Sequence, residues 1–82
     1  MKIDIRYFAS VREALGSGES VETQAATLAD LRDELIARGG PHAAALARGK
    51  AVRMAMDQVM RAESSALRDG AEVAFFPPVT GG

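Results

Sequence analysis

The chain has 82 residues, a formal net charge of −1, 48% hydrophobic residues and no cysteine. This length supports one domain with a modest core, and the apolar content is typical of a globular protein rather than a disordered one. The absence of cysteine excludes disulfides, thiolate metal sites and a cysteine nucleophile within the chain. The scattered basic residues argue against nucleic-acid binding, and no apolar run is long enough to span a membrane. We expect no signal peptide and a cytoplasmic location.

The N-terminal residues predict a strand followed by a short helix. Residues 2–8 alternate between polar and apolar side chains, which is the period of a half-buried strand. The inner face of this strand is predicted to carry Ile3, Ile5 and Tyr7. Residues 9–15 then favour a short helix, and Gly16 is expected to end it in the left-handed αL conformation.

The next segment predicts a short strand and two helices. Residues 19–23 favour the strand, and Thr27 is a good N-cap with Asp30 three residues later, which resembles a capping box. The buried stripe of the following helix is predicted to be Leu28, Leu31, Leu35 and Ile36. Gly39-Gly40 is expected to end this helix, and residues 41–47 favour a short helical segment that begins at a proline.

The C-terminal half predicts three short strands. Residues 51–56 and 59–61 favour two strands joined by a turn at residues 57–58, and residues 68–70 carry a second turn signal. Residues 72–76 form the last strand, whose inner face is predicted to carry Val73 and Phe75. The element order indicates an α+β fold, with helices packed on one face of a mixed sheet.

A distinctive tail follows the last strand, over residues 77–82. Its members are Pro77, Pro78, Val79, Thr80, Gly81 and Gly82. The two prolines lack N–H donors and prevent the strand from continuing, so the chain must leave the sheet as an arm that reaches about 20 Å at full extension. The β-branched pair stiffens the arm, and the glycines lack Cβ atoms. The tail is therefore suited to carry a terminal carboxylate into a narrow channel of another protein.

The sequence at both ends resembles one known family. Residues 69–82, DGAEVAFFPPVTGG, are similar to the C-terminus of the small, sulfur-carrying subunit of molybdopterin synthase. Residues 7–13, YFASVRE, and the following Gly16 resemble the beginning of that ubiquitin-like family. The length and element order match over all 82 residues, although residues 37–50 carry no specific motif. Asp57 stands where relatives often have Asn, and both residues tolerate a tight turn.

The resemblance implies a single β-grasp domain over residues 1–82, with residues 77–82 as an extended tail. It also implies that an E1-like activating enzyme uses ATP to adenylate the carboxylate of Gly82, and that a sulfur donor protein converts it to a thiocarboxylate. Gly82 and the channel-passing Gly81 would then enter the large synthase subunit, where the sulfur is transferred to cyclic pyranopterin monophosphate to make molybdopterin. The family forms a heterotetramer. We expect no bound cofactor, no metal and no catalytic side chain on this chain.

Three apolar residues are candidates for a partner interface. Phe76 alternates with the inward Phe75, Phe8 ends the first strand on its outer face, and Met60 alternates with Val59, which we expect inside. Because the first and last strands of a β-grasp sheet are neighbours, Phe8 and Phe76 can form one exposed apolar patch beside the tail, which favours docking. A register error of one residue would instead bury all three.

The sequence leaves other interpretations open. A sulfur carrier of the thiamine type shares Gly-Gly but usually lacks Phe-Phe-Pro-Pro, a ubiquitin-like modifier would be joined to lysines through Gly82, and a simple binding module would have an inert tail. His42 is expected to be a surface or capping residue rather than a metal ligand, and Arg12-Glu13 a solvated helix face. Lys50 and Arg53 could steer a partner, but scattered charges usually serve solubility.

Overall fold

The computed structural model describes residues 1–78, which form five strands and three helices. In chain order the elements are β1 (Lys2–Tyr7), α1 (Ala9–Leu15), β2 (Gly18–Glu22), α2 (Leu28–Ile36), α3 (Gly40–Leu46), β3 (Arg53–Met56), β4 (Val59–Arg61) and β5 (Glu72–Phe76). The sheet has the strand order β2-β1-β5-β3-β4. Strands β1 and β5 are parallel, whereas the other neighbouring pairs are antiparallel. The predicted α+β class with a mixed sheet is confirmed.

The core lies between the inner face of the sheet and the helices. Alternation along β1 and β5 buries every second side chain, as the sequence pattern predicts. The large side chains with almost no exposure are Tyr7, Phe75, Ile3, Ile5, Leu28, Leu31, Leu35, Leu46, Met54 and Val73. Burial of such side chains contributes about 1.5–3 kcal/mol each before conformational entropy is counted. The inner residues of β1 and β5 therefore lie at the centre of the fold.

Helix α2 begins as the sequence predicts but ends earlier. The Thr27 side chain accepts a hydrogen bond from the Asp30 backbone N–H at 3.1 Å, which confirms the N-cap. The helix stops at Ile36, where the N–H groups of Arg38 and Gly39 bond to carbonyls only three residues back and tighten the chain. Gly39, at φ 73°, is thus the residue preceding α3 rather than the end of α2.

Two other expectations are corrected by the backbone. Gly16 has a positive φ of 89°, but its ψ of −176° lies outside the αL region. This extended ψ turns the chain directly towards β2, which begins at Gly18. Strand β3 begins at Arg53 rather than at residue 51. Before it, the buried Arg32 side chain donates hydrogen bonds to the carbonyl oxygens of Leu46, Ala47 and Lys50 at 2.8–3.1 Å. These bonds fix the segment as a loop instead of a strand.

The turn between β3 and β4 has the conformation that the sequence suggests. Asp57 and Gln58 have φ values of 51° and 68°, so both occupy the left-handed region. A two-residue turn of this kind fits the right-handed twist of the flanking strands. An acidic or amide side chain tolerates that region better than most, which explains why Asp57 serves in place of Asn.

Candidate functional site: the tail origin and the outer face of the sheet

The tail begins at the end of the central strand β5. The strand stops at Phe76, and Pro77 and Pro78 follow without regular structure and half-buried. This is the outcome that the missing N–H donors predict. The remaining tail residues lie outside the described part of the chain, and their roles stay predictions: Val79, Thr80, Gly81 and Gly82.

The three predicted interface residues lie on the outer face of the sheet. Phe8 and Met60 are 48% and 61% exposed, and Phe76 is half-buried. The one-residue register error that would have buried all three is therefore excluded. Tyr7 pairs with Phe75, and the Phe8 N–H donates to the Phe75 carbonyl at 3.1 Å, so the next residues along, Phe8 and Phe76, are neighbours. Their role as an interface is not tested by this geometry.

Met60 joins this face through two alanines. Its partner across the β3–β4 ladder is Ala55, which in turn pairs with Ala74 of β5. Small side chains at both central positions leave a shallow apolar floor between Met60 and the two phenylalanines. We call the surface formed by Phe8, Phe76, Ala74, Ala55 and Met60 the outer apolar face. The tail leaves the sheet from one end of it.

Val59 is not inside, contrary to expectation. It is 51% exposed, although it pairs with the inner-facing Met56 and so points to the predicted side of the sheet. Strand β4 is a short strand at the edge of the sheet, so Val59 and Arg61 are exposed on the inner side and Met60 is exposed on the outer face. The alternation correctly predicted which side of the sheet Val59 faces, but it carries no information on whether the strand lies at an edge.

A polar cluster forms around Glu19, on the helix side of the sheet. The Glu19 carboxylate accepts hydrogen bonds from the Tyr7 hydroxyl at 2.8 Å, from Arg38 Nη1 at 2.7 Å and from His42 Nε2 at 2.9 Å. Because a carboxylate only accepts, His42 Nε2 carries a proton in this arrangement. Glu19 of β2 therefore ties strand β1 to helix α3 and to the segment that precedes this helix.

The cluster stabilises charged Glu19 and neutral Tyr7. Partial burial by itself raises the pKa of Glu19, but the hydrogen bonds from Arg38, His42 and Tyr7 outweigh it and lower the pKa to about 2. Burial, and then the hydrogen bond to Glu19, raise the pKa of Tyr7 far above its ordinary value. The hydrogen bond to Glu19 also raises the pKa of Arg38. At neutral pH Glu19 is therefore charged and Tyr7 is neutral, and their hydrogen bonds stabilise the packing of these elements.

The position of His42 corrects another expectation. It was expected at the surface or as a cap, but it is half-buried. Its ring packs edge-on against the Tyr7 ring, with centroids 6.4 Å apart, and bonds to Glu19. Sequence separation hides this cluster: Tyr7, Glu19, Arg38 and His42 come from four different elements or loops. The available signal was the inward position of Tyr7, because a buried tyrosine hydroxyl usually requires a hydrogen-bond partner.

The other polar candidates are exposed and outside the Glu19 cluster. Arg12, Glu13 and Lys50 are exposed, as expected of solvated residues. Within residues 1–78, no three His, Asp or Glu side chains are grouped so that they could hold a metal ion. An open depression of about 420 Å³ lies between β2 and α2, and its lining includes no residue of β5. The described surface beside the tail origin is the outer apolar face.

None of the described helices is long and apolar enough to cross a bilayer. The chain matches the family model described as "ThiS family" over residues 5–82. It is 41% identical over 81 residues to the molybdopterin synthase sulfur carrier subunit of Escherichia coli, covering 98% of this chain and 99% of that protein. The protein of the same name from Haemophilus influenzae is 38% identical, with the same coverage of both chains.

Among solved structures, SAMP1 from Haloferax volcanii superposes with a TM-score of 0.76 at 27% identity, and each chain is covered completely. The ubiquitin-like fold expected from the resemblance is thereby confirmed. The matched family region includes both the outer apolar face and the tail sequence. The chain belongs to the ThiS family, alongside relatives that are molybdopterin synthase sulfur carrier subunits.

Proposed function

We propose that this protein is the sulfur carrier subunit of a molybdopterin synthase. The observation that carries the proposal is the identity of 38–41% to two proteins of that name over nearly the whole length of each chain. The tail sequence and its origin beside the outer apolar face agree with it. In this role the chain is a sulfur-donating subunit and not an enzyme by itself, and it acts in the cytoplasm, where ATP is available.

The proposed chemistry takes place at the carboxylate of Gly82. A terminal carboxylate has a pKa near 3.5, so at neutral pH it is an anion and a poor electrophile. Its attack on the α-phosphorus of ATP, in the activating enzyme, releases pyrophosphate and leaves an acyl adenylate. A sulfur atom from the donor protein then displaces AMP, which gives a thiocarboxylate. No oxidant is needed if the sulfur arrives as sulfide, and none of the described side chains has to react.

In the final step the thiocarboxylate sulfur forms a bond to a carbon of cyclic pyranopterin monophosphate in the large subunit, and hydrolysis of the resulting thioester leaves the sulfur on the pterin and restores the carboxylate of Gly82. The tail brings the reactive group, and the large subunit supplies an oriented site from which bulk water is excluded. Gly81 and Gly82 are the residues that would pass the narrowest part of that site. No cofactor is bound by this chain in the proposed cycle, because the sulfur travels covalently.

The outer apolar face is proposed as the surface that docks on the large subunit. Phe8, Met60 and Phe76 present aromatic and methionine side chains beside the tail, and such residues are enriched in protein interfaces. An exposed face beside the tail fits a carrier whose reactive group must enter the partner.

The decisive experiment is an intact-mass measurement with fragmentation of the C-terminus. The chain is incubated with ATP, the activating enzyme of its host and a sulfur donor, and we expect one oxygen-to-sulfur exchange located on Gly82. The matched control is the chain without Gly81 and Gly82, which should stay unmodified. An unmodified full-length chain under these conditions would overturn the proposal.

A second candidate is a ubiquitin-like protein modifier. It is favoured by the complete overlap with SAMP1 from Haloferax volcanii and by the match to a structure from that organism named small archaeal modifier protein 1. High-mass conjugates in cells that disappear when Gly82 is deleted would support this role. Their absence, together with a thiocarboxylate at Gly82, would leave sulfur transfer alone.

A further inference from the structure

One basic residue lies in the same row of the sheet as the tail origin. Arg53 of β3 pairs across the ladder with Phe76, so its side chain shares the outer face with that phenylalanine. Phe8 is the neighbour of Phe76 on the other side. The row at which the tail leaves therefore reads Phe8, Phe76 and Arg53 across three adjacent strands.

Arg53 lacks the partners that most charged residues of this face have. Arg6 lies 3.7 Å from Glu72, Asp4 accepts a hydrogen bond from Ser20 at 2.6 Å, and Asp57 is bound by Arg68. Arg53 is exposed, and within residues 1–78 no carboxylate lies within 4.0 Å of its guanidinium. Lys2 is also exposed without an ion pair among these residues, but it lies at the other end of β1, far from the tail origin. An exposed, hydrated guanidinium does not destabilise the free chain.

We propose that Arg53 is a specificity-determining contact of the docking face, and that the large subunit presents a carboxylate to it. This inference rests on the proposed function, since it takes the large subunit as the protein that covers the outer apolar face. It adds the chemistry of the surface that must lie opposite: apolar against the two phenylalanines and acidic beside them.

The physical reason is desolvation. A protein that covers Phe76 closely also covers the neighbouring side chain of the same row, so docking removes water from Arg53. An unpaired charge in such a place is strongly unfavourable, whereas a facing carboxylate offsets the lost hydration. The guanidinium fits a carboxylate through two parallel hydrogen bonds, which also fixes the orientation of the docked chain. Partners without this carboxylate are thereby discriminated against.

The test compares two variants of Arg53 with a matched control. Arg53→Met keeps the apolar stem and removes the charge, whereas Arg53→Glu reverses it. Lys2→Glu makes the same change in net charge on the same face, but about 20 Å farther along β1, beyond the range of unscreened interaction at physiological salt. Affinity for the purified large subunit is measured at several salt concentrations, and circular dichroism checks that each variant is folded.

We expect Arg53→Met to weaken binding about 5–10-fold and Arg53→Glu by more than about 30-fold, with Lys2→Glu within about twofold of the unmodified chain. Binding of Arg53→Met should also depend less on salt. Reversing acidic residues of the large subunit one at a time should identify one that restores binding of Arg53→Glu, as a double-mutant cycle requires.

Two outcomes would overturn the inference while the proposed function stands. In the first, the unmodified chain binds the large subunit and both Arg53 variants bind it as tightly as the unmodified chain does. In the second, Arg53→Met, which keeps the apolar stem, binds as tightly as the unmodified chain and only Arg53→Glu is weakened, which would mean that the stem packs and the charge reaches solvent at the rim. If the unmodified chain does not bind the large subunit at all, both the inference and the proposed function fail.

Discussion

Replacing Glu19 with Gln should destabilise the fold in a way that depends on pH. The substitution keeps the size of the side chain but removes the charge that accepts hydrogen bonds from Tyr7, Arg38 and His42. A neutral amide oxygen is a weaker acceptor, and its NH₂ group faces donors instead of acceptors. Arg38 in particular loses its only carboxylate partner within the described chain.

The magnitude follows from the pKa of Glu19, which falls from the ordinary 4.5 to about 2. At 1.36 kcal/mol for each pKa unit, this shift corresponds to roughly 3 kcal/mol of preference for the ionised form. A quarter of the side chain is exposed, so water screens part of the interaction, and we reduce the expected contribution to about 1–2 kcal/mol. For a domain of this length, each kcal/mol shifts the melting temperature by about 4–8 °C.

The sign of the pH dependence is fixed by the lowered pKa. The folded chain binds the Glu19 proton more weakly than the unfolded chain, so the stabilisation is complete above pH 4.5 and is lost as the pH falls towards 2. Thermal unfolding of the unmodified chain and of Glu19→Gln should therefore differ most near neutral pH and converge near pH 2. Glu22→Gln, on the same strand but 80% exposed, is the matched control and should have little effect. A constant difference between the first two proteins from pH 7 to pH 2 would refute this account of Glu19.

Three further predictions follow from close packing, from docking and from the tail. A Cβ on Gly18 would lie 2.3 Å from the Ile5 carbonyl oxygen, whereas one on Gly49 would meet nothing within 4 Å. Gly18→Ala should therefore lower the free energy of unfolding, measured in urea titrations, by about 1–3 kcal/mol. Gly49→Ala is the control and should not lower it. Phe76→Ala should weaken binding to the large subunit about 30-fold while circular dichroism stays unchanged, and unchanged affinity would remove this residue from the interface. Gly82→Ala should fold normally but lower sulfur transfer in a synthase assay, and full activity would contradict the requirement for a terminal residue without Cβ.

Most of the fold could be predicted because its elements carry local signals. The alternation in β1 and β5 placed Tyr7 and Phe75 inside, because one face of each strand is buried. The alternate residues of each strand were correctly placed outside. Thr27 marked the start of α2 through its side-chain cap. These signals lie within a few residues of one another, so they are visible before any tertiary contact is known.

The features that could not be predicted depend on distant residues. The partners of Glu19 are separated from it by 12 to 23 positions. The antiparallel pairing of β1 with β2 brings Tyr7 close to it, and the tertiary placement of α3 brings His42. Val59 has the correct period for an inner residue but is exposed on the edge strand β4. Arg53 gave no signal beyond its charge, since its place beside Phe76 results from the antiparallel pairing of β3 with β5.

At the tail origin, the inner face of the sheet packs in the core and the outer face is exposed. Along β1 and β5 the residues alternate between Tyr7 and Phe75, whose rings lie 6.2 Å apart in the core, and Phe8 and Phe76 on the outer face. The Glu19 cluster holds Tyr7 from the helix side, so the row from which the tail leaves is fixed before any partner arrives. If the outer apolar face docks as proposed, the sheet itself needs little further ordering, which limits the entropy lost on binding. The proposed reactive terminus is thereby attached to a row of the sheet whose position is fixed by the core, and no described side chain is proposed to take part in the chemistry.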